Sequence, residues 1–212
     1  MNLPNKITTF RMIMVGVIFL LLVISYGANI TWPVYANASG TYSISLLNII
    51  VCVLFLIASF SDFLDGHLAR KYNLVTTYGK FMDPIADKLL VDVLLLFYAL
   101  PMTEYGFGLT GKTGVPMVVV IIMICRDLCV DAIRLLGMEK QVVIQARYAG
   151  KVKTVLQMIA LTCVLLNNFP FAFFSWKINV ANLLCYLAGV ASLVSLVDYF
   201  VVNRKVFQGD EK

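Results

Sequence analysis

Four aspartates in an apolar sequence are the residues best placed to do chemistry. Asp62 and Asp65 stand at i and i+3, and Asp83 and Asp87 at i and i+4. On helices both spacings bring a pair to one face, so two neighbouring helices can turn four carboxylates into one polar cavity. A charged side chain inside a membrane segment costs about 2.5–3.5 kcal/mol on insertion scales, and such residues mark functional sites. Four carboxylates at close quarters raise one another's proton affinity unless positive charge compensates them. Arg70 and Lys88 are expected to supply part of that charge, but an oxygen-only cluster suits hard divalent cations, Mg²⁺ or Mn²⁺. His67 is the single histidine and no cysteine pair accompanies the aspartates, which argues against zinc. His67 itself is expected at a helix end, ligating nothing. Simple pairing with basic residues at a membrane surface would explain an isolated aspartate, but not four at this spacing.

Small residues flank the acids: Gly66 follows Asp65, Ala69 precedes Arg70, and Gly79 lies one turn before Asp83. They leave room for a nucleotide or another helix against the backbone. Pro84 is expected near a helix start, where its missing N–H breaks no internal bond. A second group, Arg126, Arg134, Arg147, Lys151 and Lys153, gathers around two later segments. Arg126 lies in an apolar stretch, where it must face a cavity, pair with Asp127 or Asp131, or bind an anion. A phosphate would use such residues well.

The elements that must position these groups are membrane helices. The 212-residue chain is 60% hydrophobic and only 14% charged, whereas soluble domains carry charge at about a quarter of positions. Six stretches approach the roughly 20 apolar residues a helix needs to cross a bilayer: 10–28, 43 into the 61–70 region, 80–102, 113 to beyond Arg126, 147–166 and 178–202. The expected fold is therefore all-α, a polytopic six-helix membrane protein with a polar cavity facing the cytoplasm. The net charge of +5 is not a nucleic-acid signal, because its cations gather in one set of loops. The opposite loops, 29–42, 104–112 and 167–177, hold only Lys112 and Lys177. Positive charge marks the cytoplasmic side, which puts both termini there and makes the chain a multi-pass protein of the cell membrane. Trp32, Tyr35 and Trp176 fall at the outer boundaries.

Lys6 and Arg11 before an apolar run imitate a signal peptide, with Ala36-x-Ala38 as cleavage site. That site lies too far beyond the run, so the run is read as a span. The five cysteines, Cys52, Cys125, Cys129, Cys163 and Cys185, lie in apolar segments without a CxxC pair and are read as packing residues. No repeat or linker interrupts the chain, and residues 1–212 are read as one domain.

Asp62-x-x-Asp65-Gly66-x-x-Ala69-Arg70 followed by Gly79-x-x-x-Asp83-x-x-x-Asp87 resembles, at every defined position, the signature of the CDP-alcohol phosphotransferases. The six-helix organisation is similar as well, so the resemblance covers essentially the whole chain. It implies that Asp62, Asp65, Asp83 and Asp87 hold two divalent cations against the pyrophosphate of a CDP-linked lipid, and that Asp87 is the general base for an attacking alcohol. It also implies that Gly66, Ala69, Arg70, Thr76 and Gly79 surround the donor. Pro4-Asn5-x-x-Thr8 resembles the family's N-terminal element near the cytidine, although Asn5 and Thr8 also suit a helix cap and turn.

The element Gly150-Lys151-x-Lys153-Thr154-x-x-Gln157 resembles one found in the phosphatidylglycerophosphate synthase branch of that family. Arg126-Asp127-Leu128 through Arg134 is similar to a second, with Asp127 in place of the usual Glu and Asp131 in place of a smaller residue. These likenesses imply CDP-diacylglycerol as donor and glycerol 3-phosphate as acceptor, its phosphate on Arg126, Arg134, Lys151 and Lys153. Inositol phosphate, serine and phosphatidylglycerol are the alternative acceptors. A neutral alcohol would leave the basic cluster without a ligand. The resemblance further implies a homodimer among membrane lipids. Outside the enzymes, a divalent-cation transporter is the alternative, but transport sites usually lie near the midplane rather than at helix ends.

Overall fold

The computed structural model describes residues 3–28, 30–38, 42–71, 77–100, 114–140, 144, 147–173 and 179–204, and of residues 3, 4, 63–71 and 77–81 the backbone alone. Among the described residues six α-helices follow one another: α1 Leu3–Gly27, α2 Leu46–Lys71, α3 Thr77–Ala99, α4 Met117–Glu139, α5 Tyr148–Leu165 and α6 Val180–Val202. A short antiparallel hairpin, β1 Val34–Ala36 with β2 Ser43–Ser45, joins α1 to α2, a departure from the all-α expectation.

Two features of the helices differ from expectation. α1 begins at Leu3, so Asn5 and Thr8 lie inside its first turns and not in a lead-in or cap. Pro4 tolerates that place because an N–H in the first turn has no helical partner. Pro84, by contrast, stands well inside α3 and not at its start. There its ring removes an internal hydrogen bond, one helical turn of weakened ladder beside Asp83 and Asp87.

α1 packs on α2 and α3, α5 runs along α6, and α4 lies on α6, while α3 touches α4 and α2 touches α5. One apolar core joins these helices, from Leu22 and Val51 through Leu94 and Val120 to Leu161 and Ala188. Tyr98 donates a hydrogen bond to Asn48 Oδ1 at 2.9 Å within it. At the hairpin end the Tyr42 hydroxyl donates to the Leu166 carbonyl at 3.0 Å.

α6 shows what surrounds the bundle. Its buried face carries Ala181, Cys185, Ala188, Gly189, Ser192 and Ser195, whereas Val190, Val194, Val197 and Val201 are exposed. Small and polar residues inside with branched apolar residues outside reverse the pattern of a helix in water and suit one in lipid. Residues Asn5–Gly27, Tyr148–Leu165 and Val180–Val202 form three helices long and apolar enough to cross a bilayer. The chain is a helical membrane protein.

Candidate active site

A cavity of about 420 Å³ opens among the end of α2, the start of α3, the second half of α4, the start of α5 and the end of α6. One wall is acidic, with Asp62, Asp83 and Asp87. The other is basic, with Arg126, Arg134, Arg147, Lys151 and Lys153. Asp92 and Lys88 line the stretch of α3 between them.

The acidic wall is organised by α1. Arg11 is almost wholly buried and ion-pairs with Asp62, with Asp83 at 3.2 Å and with Asp87 at 3.1 Å. Thr8, one turn earlier, donates its hydroxyl to Asp83 Oδ1 at 2.8 Å. The three carboxylates remain 41–49% exposed, so their oxygens open on the cavity while one cation holds them together. Among the described residues no three His, Cys, Asp or Glu side chains converge into a ready ion site. A guanidinium is broader than a divalent ion, and the carboxylates are spread around it. Hard oxygen donors gathered about a positive charge nevertheless suit Mg²⁺ or Mn²⁺ in kind. The side chains of Asp65, Gly66, Ala69, Arg70 and Gly79, and all of Thr76, lie outside the described residues.

Charge compensation differs from the sequence expectation. Lys88 turns away from the acidic wall and pairs with Asp131 on α4. Arg11 takes that part, although by sequence it reads as an ordinary loop cation. The signal that could have found it is its position at the head of an apolar run, three residues after Thr8.

The basic wall is held by two carboxylates and a tyrosine. Arg126 donates from Nη1 to Asp127 Oδ1 at 2.8 Å and from Nη2 to the Ser195 hydroxyl. Lys153 Nζ reaches both Asp127 oxygens, at 3.0 and 2.7 Å. All three charged groups are buried, and a buried cation stays charged only when paired or hydrogen-bonded. Arg147 makes a two-pronged contact with Asp198, from Nε at 2.8 Å and from Nη2 at 2.7 Å. Arg134 donates to the Tyr199 hydroxyl at 3.0 Å. Lys151 is exposed at the mouth.

Gly150 faces Arg126. A Cβ there would come within 3.3 Å of Arg126 Nη2 and 3.6 Å of Ser195 Oγ. Its missing side chain lets α5 approach while Arg126 keeps its place. Asn5, the remaining predicted contact, lies in the first turns of α1, where its carbonyl accepts from Thr9 Oγ1 at 2.8 Å. Ser195, Asp198 and Tyr199 went unread in the sequence, since α6 reads there as a plain apolar helix.

The chain is similar to known proteins along most of its length. The profile of the CDP-alcohol phosphatidyltransferase family matches residues 1–194. Over 202 residues the chain is 36% identical to a CDP-diacylglycerol–glycerol-3-phosphate 3-phosphatidyltransferase of Bacillus subtilis, covering 95% of each protein. The enzyme of that name from Mycoplasma pneumoniae is 35% identical across 93% of this chain and 86% of its own. The Shigella flexneri enzyme is 29% identical across 96% of this chain and 95% of its own.

Proposed function

The chain belongs to the CDP-alcohol phosphatidyltransferase family, and from that premise we propose that it moves the phosphatidyl group of CDP-diacylglycerol to glycerol 3-phosphate, releasing CMP and phosphatidylglycerol phosphate. It is an enzyme, a phosphatidyltransferase. The observation that carries the acceptor is the pairing of an acidic and a basic wall on one cavity: a pyrophosphate held through cations and a second phosphate held by arginine and lysine have separate places to go.

On this reading Asp62, Asp65, Asp83 and Asp87 hold two divalent cations, Mg²⁺ or Mn²⁺. When bound, these polarise the donor's pyrophosphate and neutralise charge on the departing CMP. Asn5, Thr8, Gly66, Ala69, Arg70, Thr76 and Gly79 surround the donor, with Thr8 supported by its bond to Asp83. The basic wall takes the acceptor's phosphate through Arg126, Arg134, Lys151 and Lys153, by charge-assisted hydrogen bonds that fix its orientation. That leaves the acceptor's hydroxyl end towards α3. Asp87 takes the hydroxyl proton as the acceptor oxygen bonds to the phosphatidyl phosphorus. The bond from that phosphorus to the CMP oxygen breaks in the same displacement, and no covalent enzyme intermediate is needed.

The six helices form one domain, residues 1–212, and cross the cell membrane in turn. The starts of α1, α3 and α5 and the ends of α2, α4 and α6 then share the cytoplasmic side with the cavity and both termini. The lipid tails lie along the exposed apolar faces, and the working unit is a homodimer.

Release of CMP from CDP-diacylglycerol by purified protein with Mg²⁺ tests the acceptor when glycerol 3-phosphate, inositol phosphate, serine and phosphatidylglycerol are compared. Turnover with glycerol 3-phosphate alone is expected. Preference for a neutral alcohol would overturn the role given to the basic wall.

A further inference from the structure

One aromatic side chain touches all three arginines of the basic wall. The guanidinium carbons of Arg126 and Arg134 lie 5.5 and 5.7 Å from the centre of the Tyr199 ring. The Tyr199 hydroxyl accepts from Arg134 Nη2 at 3.0 Å and from the backbone N–H of Arg147 at 3.4 Å. The residue is only 1% exposed, at the end of α6, and Val130 and Ile133 of α4 pack beside it. Its own position is therefore set by packing, while the arginines come to it from α4 and from the start of α5.

The partners of these cations differ in a way that matters for an anion. Asp127 offsets Arg126 and Lys153, and Asp198 offsets Arg147. Among the described residues Arg134 has no carboxylate within ion-pair distance; what it has is the tyrosine. A carboxylate would fix a guanidinium and cancel its charge at once. An aromatic face and a neutral hydroxyl fix it by cation–π attraction and one hydrogen bond, and leave the positive charge for a ligand.

We propose that Tyr199 is a positioning residue for the acceptor's phosphate, holding Arg134 and Arg126 at the cavity wall without neutralising Arg134. The inference rests on the acceptor reading proposed above. Tyr199 acts through the arginines, so its loss is felt in acceptor binding and not in the chemical step at Asp87 or in donor binding.

Steady-state kinetics of Tyr199→Phe and Tyr199→Leu, with both substrates varied, test this. Tyr199→Phe keeps the ring and loses the hydroxyl, and the KM for glycerol 3-phosphate is expected to rise about tenfold. Tyr199→Leu loses both, and a rise of about a hundredfold is expected. The KM for CDP-diacylglycerol and kcat stay within about threefold of wild type if donor and chemistry are untouched. Inorganic phosphate, as a competitive inhibitor against glycerol 3-phosphate, should weaken in parallel with that KM. Equal rises in both KM values, or a fall in kcat alone, would mark a merely structural residue and overturn the proposal. So would an unchanged KM in a folded Tyr199→Leu protein. A wild type that turns over only a neutral alcohol overturns the acceptor reading and this proposal with it. A wild type that uses glycerol 3-phosphate while its variants match it overturns the role of Tyr199 alone.

Discussion

Among the described residues Asp127 and Arg11 between them make most of the ion pairs around the cavity. Asp127 is the shared partner of Arg126 and Lys153, so its removal leaves two buried cations without a carboxylate. Breaking a buried ion pair from one side costs about 3–5 kcal/mol. Asp127→Ala is therefore expected to lower the unfolding temperature in detergent markedly, and an unchanged value would mean that the triad carries no stability. Arg11 stands in the opposite relation, one cation among Asp62, Asp83 and Asp87. Arg11→Gln is expected to destabilise the protein in EDTA, with Mg²⁺ restoring part of the loss as it takes over the compensation. Thermal unfolding with and without Mg²⁺ reads this directly, and equal losses in both conditions would contradict it. The place of Asp62, Asp83 and Asp87 on one cavity was legible in the sequence, because charge in an apolar run stands out and their spacing implies one face. Arg11 was not, because a cation before a span is already explained by membrane orientation, and only its three carboxylate contacts reveal a second task.

At the scale of elements, two glycines separate the helices' packing from their chemistry. At Gly189 a Cβ would come within 3.3 Å of Val119 Cγ1, where α6 meets α4. At Gly150 the nearest atom is the Arg126 guanidinium. Overpacking a tight contact costs about 1–3 kcal/mol, so Gly189→Leu should lower stability while leaving the KM for glycerol 3-phosphate close to wild type. Gly150→Val should instead displace Arg126 and raise that KM by about tenfold or more, since a guanidinium contact to a phosphate is lost. The reverse pattern would contradict the roles given to both glycines. Helix existence was legible from apolar run length at all six places. What the runs could not give was the start of α1, because Asn5, Lys6 and Thr8 read as a polar lead-in. Nor could they give the interior place of Pro84, or the hairpin, whose strands are three residues each. The end of α6 was opaque for a different reason: Ser195, Asp198 and Tyr199 form no local motif, and their meaning lies in arginines contributed by α4 and α5.

At the scale of the whole molecule, the reading of a multi-pass bundle with its cavity on the cytoplasmic side rests on the loop cations and on the apolar outer faces. Single cysteines placed at Lys6 and at Arg204 in a cysteine-free background should be labelled by an impermeant thiol reagent only from the cytoplasmic side, and one at Tyr35 only from outside. Labelling of either end from outside would contradict the orientation. If the acidic wall performs the transfer, Mg²⁺-dependent release of CMP from CDP-diacylglycerol with glycerol 3-phosphate should separate the wild type from Asp87→Asn. Turnover by the wild type is expected, with its loss on chelation and a fall of at least about a hundredfold in the folded variant, the least that a positioned general base contributes. Near-normal CMP release by Asp87→Asn would contradict it.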